Sequence, residues 1–416
     1  MTSLTEVVPL PDVVSMPQPL GPNGQEPPLY ARLRRERPVA RVAFPSGVQA
    51  WMLTKHADIT AIATDKRFSR NFTDPSVPRF AGENFNTVVG GIFNLDPPEH
   101  GRIRHVVAPF FAPAAAAALQ PRIAAHAERL ITQMESARAA SGSPVIDLLA
   151  HYGMPLGLNM ACELMGVPMR QRVRIVPDLL VQANWGEESI IINASTDRLM
   201  AFTDEVITAV RTEGGAPDAD PIRALIHAHT EGKISAQELR ATTMYLFLTS
   251  AEPVAGPTAV GVYTLLGHRN MLQQLLARDT DDDWDRAVWE LLRRHHNGTM
   301  SVPRLALEDV ELHGVVIRKG ESVVTPWIAA SCDPERFKTP AEYLLNRSEQ
   351  EDPRVSFGHG PHFCLGSHIA RMHLRTALRT LWRRIPTLML AVRPEDIAWE
   401  PPEVLFARPV ELPVTW

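Results

Sequence analysis

The chain has 416 residues, 45% of them hydrophobic, and its 42 Lys and Arg against 47 Asp and Glu give a formal charge of −5. That length and apolar content allow one large domain, and the slightly acidic balance excludes a nucleic-acid binder as a whole. Cys162, Cys332 and Cys364 are too widely spaced for a disulfide framework or a zinc cluster, and no stretch approaches the roughly 18 apolar residues of a membrane span, so a cytoplasmic protein with no membrane association is expected.

Residues 1–28 are polar and proline-rich and are expected as an extended arm, ahead of a single domain over 29–416. The pattern predicts a helix at Leu29–Glu36 and short strands at Val39–Val42 and Val48–Leu53. From Pro97 to Val210 helix dominates, and Ala114–Ala118 is an alanine run of high helix propensity. Helices are predicted at 119–137, 148–165, 168–183, 195–213, 220–231, 235–268 and 284–295. Strands return at Val310–Val316 and Glu321–Val324, and irregular segments cover 328–356, 357–363 and 387–416. A further helix runs from Ser367 to Arg384. Many helices with a few small sheets place the chain in a mainly α class.

Several segments carry chemistry. In Asp96-Pro97-Pro98-Glu99-His100-Gly101-Arg102-Ile103-Arg104, prolines mark a helix start and Asp96 is the expected N-cap. His100 and Arg104, four apart, share a face and can both donate to carboxylates. Glu290 and Arg293, three apart, can form an ion pair, although spacing alone favours a solvated surface pair. Phe357-Gly358-His359-Gly360-Pro361-His362-Phe363-Cys364-Leu365-Gly366 places one cysteine in a glycine- and proline-punctuated loop. The helix after it aims N–H groups and its positive dipole end at the sulfur. Such a thiolate suits a single protein ligand of haem iron, onto which it pushes electron density. A buried structural cysteine is the ordinary alternative.

The run from Phe357 to Gly366 resembles the haem-binding loop of cytochromes P450, where Phe, two Gly, His, Cys and Gly hold the same relative places. The resemblance extends from about residue 28 to Trp416 and implies the cytochrome P450 fold of the soluble bacterial class. It implies haem b (iron protoporphyrin IX) as cofactor, Cys364 as the metal ligand, and a cofactor-binding loop that includes Phe357, Gly358, His362 and Gly366. Glu290 and Arg293 then match the family's Glu-x-x-Arg, completed by Arg347 in a buried structural network. His100 and Arg104 match contacts to the haem propionates, as do Arg304 and His362. Ala330-Ser331-Cys332-Asp333-Pro334-Glu335-Arg336-Phe337 resembles the family's Ala-Asn-Arg-Asp-Pro-x-x-Phe, with Ser331 and Cys332 departing from it.

A larger departure lies in the long helix. Where the family carries an acid followed by an alcohol that route protons to dioxygen, Thr249-Ser250-Ala251-Glu252-Pro253-Val254 keeps the acid as Glu252 and replaces the alcohol by Pro253. Pro253 and Pro257 are expected to kink a continuous helix, with Glu252, Thr249 and Ser250 as candidate catalytic groups. By the same resemblance, substrate contacts fall at Phe85 and Phe93, Trp185, Phe247, Ala251 and Pro253, Met300 and Val302, and Leu405 and Phe406. Arg371, Arg375, Arg379 and Arg383 recur every four residues and are expected as a basic docking stripe for a ferredoxin.

The function these features imply is a monomeric haem-thiolate oxidoreductase of bacterial secondary metabolism. It would hydroxylate a small-molecule or peptide substrate with dioxygen and electrons from ferredoxin and ferredoxin reductase. Oxidative aromatic or peptide cross-linking, or desaturation, without oxygen insertion is the alternative. A non-catalytic helper protein and a haem-based gas sensor are further alternatives, the first disfavoured by retention of Cys364 with its loop and the second by the lack of a signalling domain.

Overall fold

Apolar side chains gather in two cores, one among helices and one beneath a sheet. The computed structural model describes residues 9–74, 77, 79–81, 84, 87–295, 303–348 and 350–416. The chain opens with β1 (Val13–Ser15), α1 (Pro28–Glu36), β2 (Val39–Ala43), β3 (Gln49–Leu53), α2 (His56–Thr64) and β4 (Phe68–Ser69). A helical run follows: α3 (Glu99–Val107) and α4 (Pro113–Ser141), then after strand β5 (Ile146–Asp147) come α5 (Met154–Met165), α6 (Met169–Arg172), α7 (Val176–Gln182) and α8 (Ser189–Glu213). Next are α9 (Pro221–Thr230), α10 (Ala236–Leu248), α11 (Glu252–Gly267), α12 (Arg269–Arg278) and α13 (Asp281–Arg294). The last part holds β6 (Arg304–Ala306), β7 (Val310–Leu312), β8 (Val315–Ile317), β9 (Ser322–Val324), α14 (Trp327–Ser331), α15 (Ser367–Arg384), β10 (Met389–Leu390) and β11 (Pro413–Thr415).

Local chemistry explains most boundaries. α4 starts on Pro113, takes in the alanine run and stops where Gly142 adopts φ 65. Ser235 and Glu238 form a reciprocal capping box on α10, and the side chains of Asp220 and Thr280 cap α9 and α13. Asp96 does not cap α3 through its side chain. Pro98 holds that position, and with two prolines intervening the Asp96 carboxylate turns back to accept from the Arg70 N–H (2.9 Å) and the Ser69 hydroxyl. The strand expected at Val310–Val316 is a hairpin, because His313 and Gly314 take φ 51 and 74 and reverse the chain. The helix expected over 168–183 divides into α6 and α7, with Pro177 opening the second. Within the segment expected as irregular over 328–356, α14 forms from residue 327.

The main sheet runs β1-β2-β3-β9-β6-β4. β1 lies parallel to β2 with Val14 and Met16 buried, so the expected N-terminal arm is stitched into the sheet edge over its described part. The antiparallel register of β4 on β6 pairs Phe68 with Ala306 and Ser69 with Leu305. Among the described residues, no single helix is long and apolar enough to cross a membrane.

α11 threads the helical core, and from Glu252 to Leu266 every residue except Pro253 is buried. Its neighbours close in at glycines. A Cβ on Gly157 would lie 2.8 Å from the Ala251 carbonyl oxygen, and one on Gly261 would lie 3.2 Å from Leu378 of α15. The helix that carries Glu252 is thereby packed directly against the helix that follows Cys364.

Candidate functional site

The loop before α15 folds back on itself. The Cys364 N–H donates to the Phe357 carbonyl at 2.9 Å, and the Phe363 N–H to the Gly360 carbonyl at 2.9 Å. Gly358 and Gly360 take φ 86 and 74, and a Cβ on Gly360 would meet the Ala63 carbonyl oxygen at 2.8 Å. The loop therefore requires glycine at Gly360 for both conformation and space. The Cys364 side chain faces open space on one side. Protein packs closely around the rest, and that burial raises the thiol pKa although the Gly366 N–H and the Arg104 guanidinium pull it down. Phe357 packs edge-on to Trp289 at 5.6 Å and so fixes the loop against α13.

Beside this loop the structure brings together the four cationic or imidazole side chains expected to bind carboxylates. The rings of His100 and His362 lie 4.1 Å apart, and the Arg104 guanidinium donates to the Phe363 carbonyl at 2.8 Å. Arg304 is buried and holds the carbonyls of Phe68 (3.4 Å) and Ala63 (3.2 Å). Burial and the crowd of like charge depress His100 to about 4 and push His362 lower still, and burial lowers Arg304 to about 10. The His362 Nε2 is buried without a partner. A site with surplus positive charge and an orphaned buried nitrogen fits a ligand that supplies carboxylates.

Glu252, Thr249 and Ser250 lie at a helix break. The single helix expected over 235–268 is α10 and α11, separated by 249–251. Pro253 falls in the first turn of α11, where its missing N–H costs nothing, so it begins a helix instead of kinking one. Arg172 fills the break. Its Nη2 donates to the freed Phe247 carbonyl (2.8 Å) and to the Ser250 hydroxyl (2.5 Å), and its charge lies at the C-terminal end of α10. Thr249 is exposed, with its hydroxyl donating to Tyr245 O at 2.8 Å. Glu252 is buried and ion-paired to Arg408. Arg172 and Arg408 were not among the expected site residues, since nothing local in sequence ties either to the break.

Glu290, Arg293 and Arg347 form a buried network. Arg293 donates to both Glu290 oxygens at 2.8 Å, and Arg347 Nε lies 2.9 Å from each. Burial alone would raise the Glu290 pKa, but these guanidinium bonds and the Leu344 N–H outweigh it and hold the carboxyl below its ordinary value. Arg293 and Arg347 also bond the carbonyls of Ser331, Pro340, Thr339 and Glu342, which fixes the segment leading to the Cys364 loop.

The arginines of the expected docking stripe are ion-paired within the chain. Arg371 pairs with Asp285 (2.9 Å), Arg375 with Asp281 and Asp285 (3.4 Å each), Arg379 with Asp279 (2.6 Å) and Arg383 with Asp279 (2.5 Å). Helix periodicity placed the arginines on one face but could not show that this face meets the acidic start of α13.

The expected substrate contacts separate in the fold. Phe85, Met300 and Val302 lie outside the described residues. Phe93 is half-buried and stacks on Tyr245 at 5.3 Å. Phe247 and Ala251 are buried, and Phe247 packs against Phe202 in the helical core. Trp185 is buried between Phe44 (5.9 Å) and Phe80 (6.2 Å). Its backbone N–H donates to the Glu403 carbonyl (2.8 Å) and the Leu405 N–H to the Ala183 carbonyl (2.7 Å), so the α7–α8 connection is clasped to the turn holding Leu405 and Phe406.

Comparison with known proteins bears on these features. The cytochrome P450 family model matches residues 284–409. Over 94% of its length the chain is 34% identical to nocardicin C N-oxygenase of Nocardia uniformis subsp. tsuyamanensis, covering 95% of that protein. It is 33% identical to mycinamicin IV hydroxylase/epoxidase of Micromonospora griseorubida, over 93% of the chain and 94% of the relative. Among solved structures, a cytochrome P450 with biaryl coupling reactivity superposes with a TM-score of 0.87 at 29% identity, covering 97% of this chain and 100% of that one.

Proposed function

The chain belongs to the cytochrome P450 family and is an oxidoreductase whose family cofactor is protoporphyrin IX haem, and from that premise we propose that it oxidises an organic secondary metabolite with Cys364 as the thiolate that would hold the haem iron. The carrying observation is Cys364 itself, alone in a glycine-shaped loop, with its sulfur accepting from the Gly366 N–H beside a carboxylate-seeking cluster. His100, Arg104, Arg304 and His362 would hold the haem carboxylates, and Phe357, Gly358 and Gly366 shape the thiolate loop. When bound, haem supplies dioxygen activation. The protein's own contribution would be to donate thiolate electron density and to keep that sulfur hydrogen-bonded by the Gly366 N–H. Glu290, Arg293 and Arg347 keep the loop rigid.

Enzymes of this family in bacteria draw electrons from redox partner proteins. We assign a ferredoxin and its reductase to that role, a cytoplasmic location, a monomeric state, and residues 29–416 as one catalytic domain. Hydroxylation of a small-molecule substrate is the leading reaction, supported by the N-oxygenase and hydroxylase/epoxidase relatives. One observation favours a second reading, coupling or desaturation without oxygen insertion: Pro253 replaces the alcohol, and the neighbouring Ser250 hydroxyl is held by Arg172. The reduced, carbon monoxide-bound protein should show the red-shifted Soret band of a thiolate ligand. Cys364→Ala should lose it while Cys162→Ala and Cys332→Ala keep it, and retention of the band in Cys364→Ala would refute the ligand assignment.

A further inference from the structure

We propose that Arg70 is a fifth carboxylate-binding residue of the cofactor site and grips a haem propionate together with Arg304; this deepens the haem reading above and rests on it. The β4–β6 register sets Phe68 opposite Ala306 and Ser69 opposite Leu305. Continuing that register by one step points Arg70 toward Arg304, whose charge bears on it. Like charges facing one another across a strand pair repel, and here both side chains are buried, at 7% and 5% exposure. Two buried guanidinium groups side by side require an anion.

Among the described residues none pairs with Arg70. The carboxylate among them that acts on Arg70 is Asp96, and its contacts are with the Arg70 backbone N–H and the Ser69 hydroxyl. Among the described residues the Arg70 guanidinium has no ion pair, and its Nε is buried without a partner. It stacks over Phe93 at 4.6 Å, which fixes the plane of the fork without using its donors. Its charge also bears on His362 and His100, the histidines that meet ring to ring beside the Cys364 loop. Burial and the Arg304 charge together lower Arg70 to about 9, as expected for a desolvated cation facing another. A planar fork matches a carboxylate through two parallel N–H bonds.

The test uses full-length haem-loaded wild type, Arg70→Met and Arg70→Lys. Haem transfer to excess apomyoglobin is timed, and the ferric/ferrous midpoint potential is measured. Arg70→Met should release haem on the order of tenfold faster. It should also show a lower potential, because an uncompensated carboxylate favours the more positive ferric state. Arg70→Lys should keep a potential near wild type and release haem at an intermediate rate; if the Met variant does not fold, that intermediate rate carries the test. Wild-type release in Arg70→Met, or equal acceleration in both variants with no change in potential, overturns the proposal, the second by marking a packing role. A wild type that takes up no haem overturns the underlying reading as well, so the two failures are distinguishable.

Discussion

Arg408 and Glu252 are joined by Nε–H···Oε1 at 2.6 Å, with both side chains buried. The bond ties the first turn of α11 to the C-terminal segment, and Arg408 also reaches Glu400 at 3.0 Å. Arg408 lies against Gly256, where a Cβ would come within 3.1 Å of its Cδ. The second oxygen of Glu252 has no partner, and burial raises the carboxyl pKa although Arg408 opposes it.

Removing Arg408 should therefore strand a buried carboxylate. Arg408→Leu should cost about 3–5 kcal/mol in urea unfolding of the haem-loaded protein, and Arg408→Leu with Glu252→Leu should recover part of that loss. A double variant no more stable than Arg408→Leu would show that the pair is not coupled.

Thr249 and Ser250 should behave differently despite their adjacency. The Ser250 hydroxyl is engaged by Arg172, whereas Thr249 is exposed. Thr249→Ala should increase peroxide released per electron pair consumed, and Ser250→Ala should leave that ratio within about twofold. The opposite ranking would move the proton-handling hydroxyl to Ser250.

Pro253 separates the two reaction readings. Turnover under heavy dioxygen should place one labelled oxygen in the main product if the enzyme hydroxylates, and Pro253→Thr should then reduce peroxide leakage by supplying a fixed donor. A main product lighter by two hydrogens and free of label would establish coupling or desaturation in its place.

The arginines of α15 should matter for stability and little for docking. Arg379→Glu sets a carboxylate against Asp279 and Asp281 and should destabilise the fold by ~1 kcal/mol or more. Arg375→Gln should change the ferredoxin concentration for half-maximal turnover by less than about twofold, since ion-paired charge steers weakly. A large rise in that concentration would restore the stripe as a docking surface.

Glu26 should give the fold a pH-dependent weakness. It is buried beside Arg34, and burial pushes its pKa up from 4.5 to about 7 against the arginine's pull. A carboxyl with a raised folded pKa holds its proton more tightly when folded, so stability falls as pH rises from 4.5 toward 7 and stays reduced above. Glu26→Gln should flatten this decline, while Arg34 keeps its bonds to the carbonyls of Thr54, Ala329 and Cys332. A difference in denaturation midpoint that does not change with pH would mean an unperturbed Glu26.

The cysteine loop, the Glu290–Arg293 pair and the His100–Arg104 face were legible in the sequence because each depends on short-range geometry: glycine conformations, or spacings of three and four on one helix. The mainly helical architecture follows from these local patterns, whereas the haem cofactor came from the resemblance of the whole loop to a known family. Local pattern also showed that Pro253 stands where the family has an alcohol, but not whether it bends a helix or begins one. That depended on Arg172, which lies 75 residues from Phe247 in the chain and takes up its carbonyl. The arginine stripe is the converse case: its periodicity was plain, yet its arginines are ion-paired with acids about 90 to 100 positions away. Arg70 went unremarked because its significance comes from a strand register that points it toward Arg304. A buried charge is decided by whatever long-range folding places beside it, and that partner cannot be read from the residue's own neighbourhood.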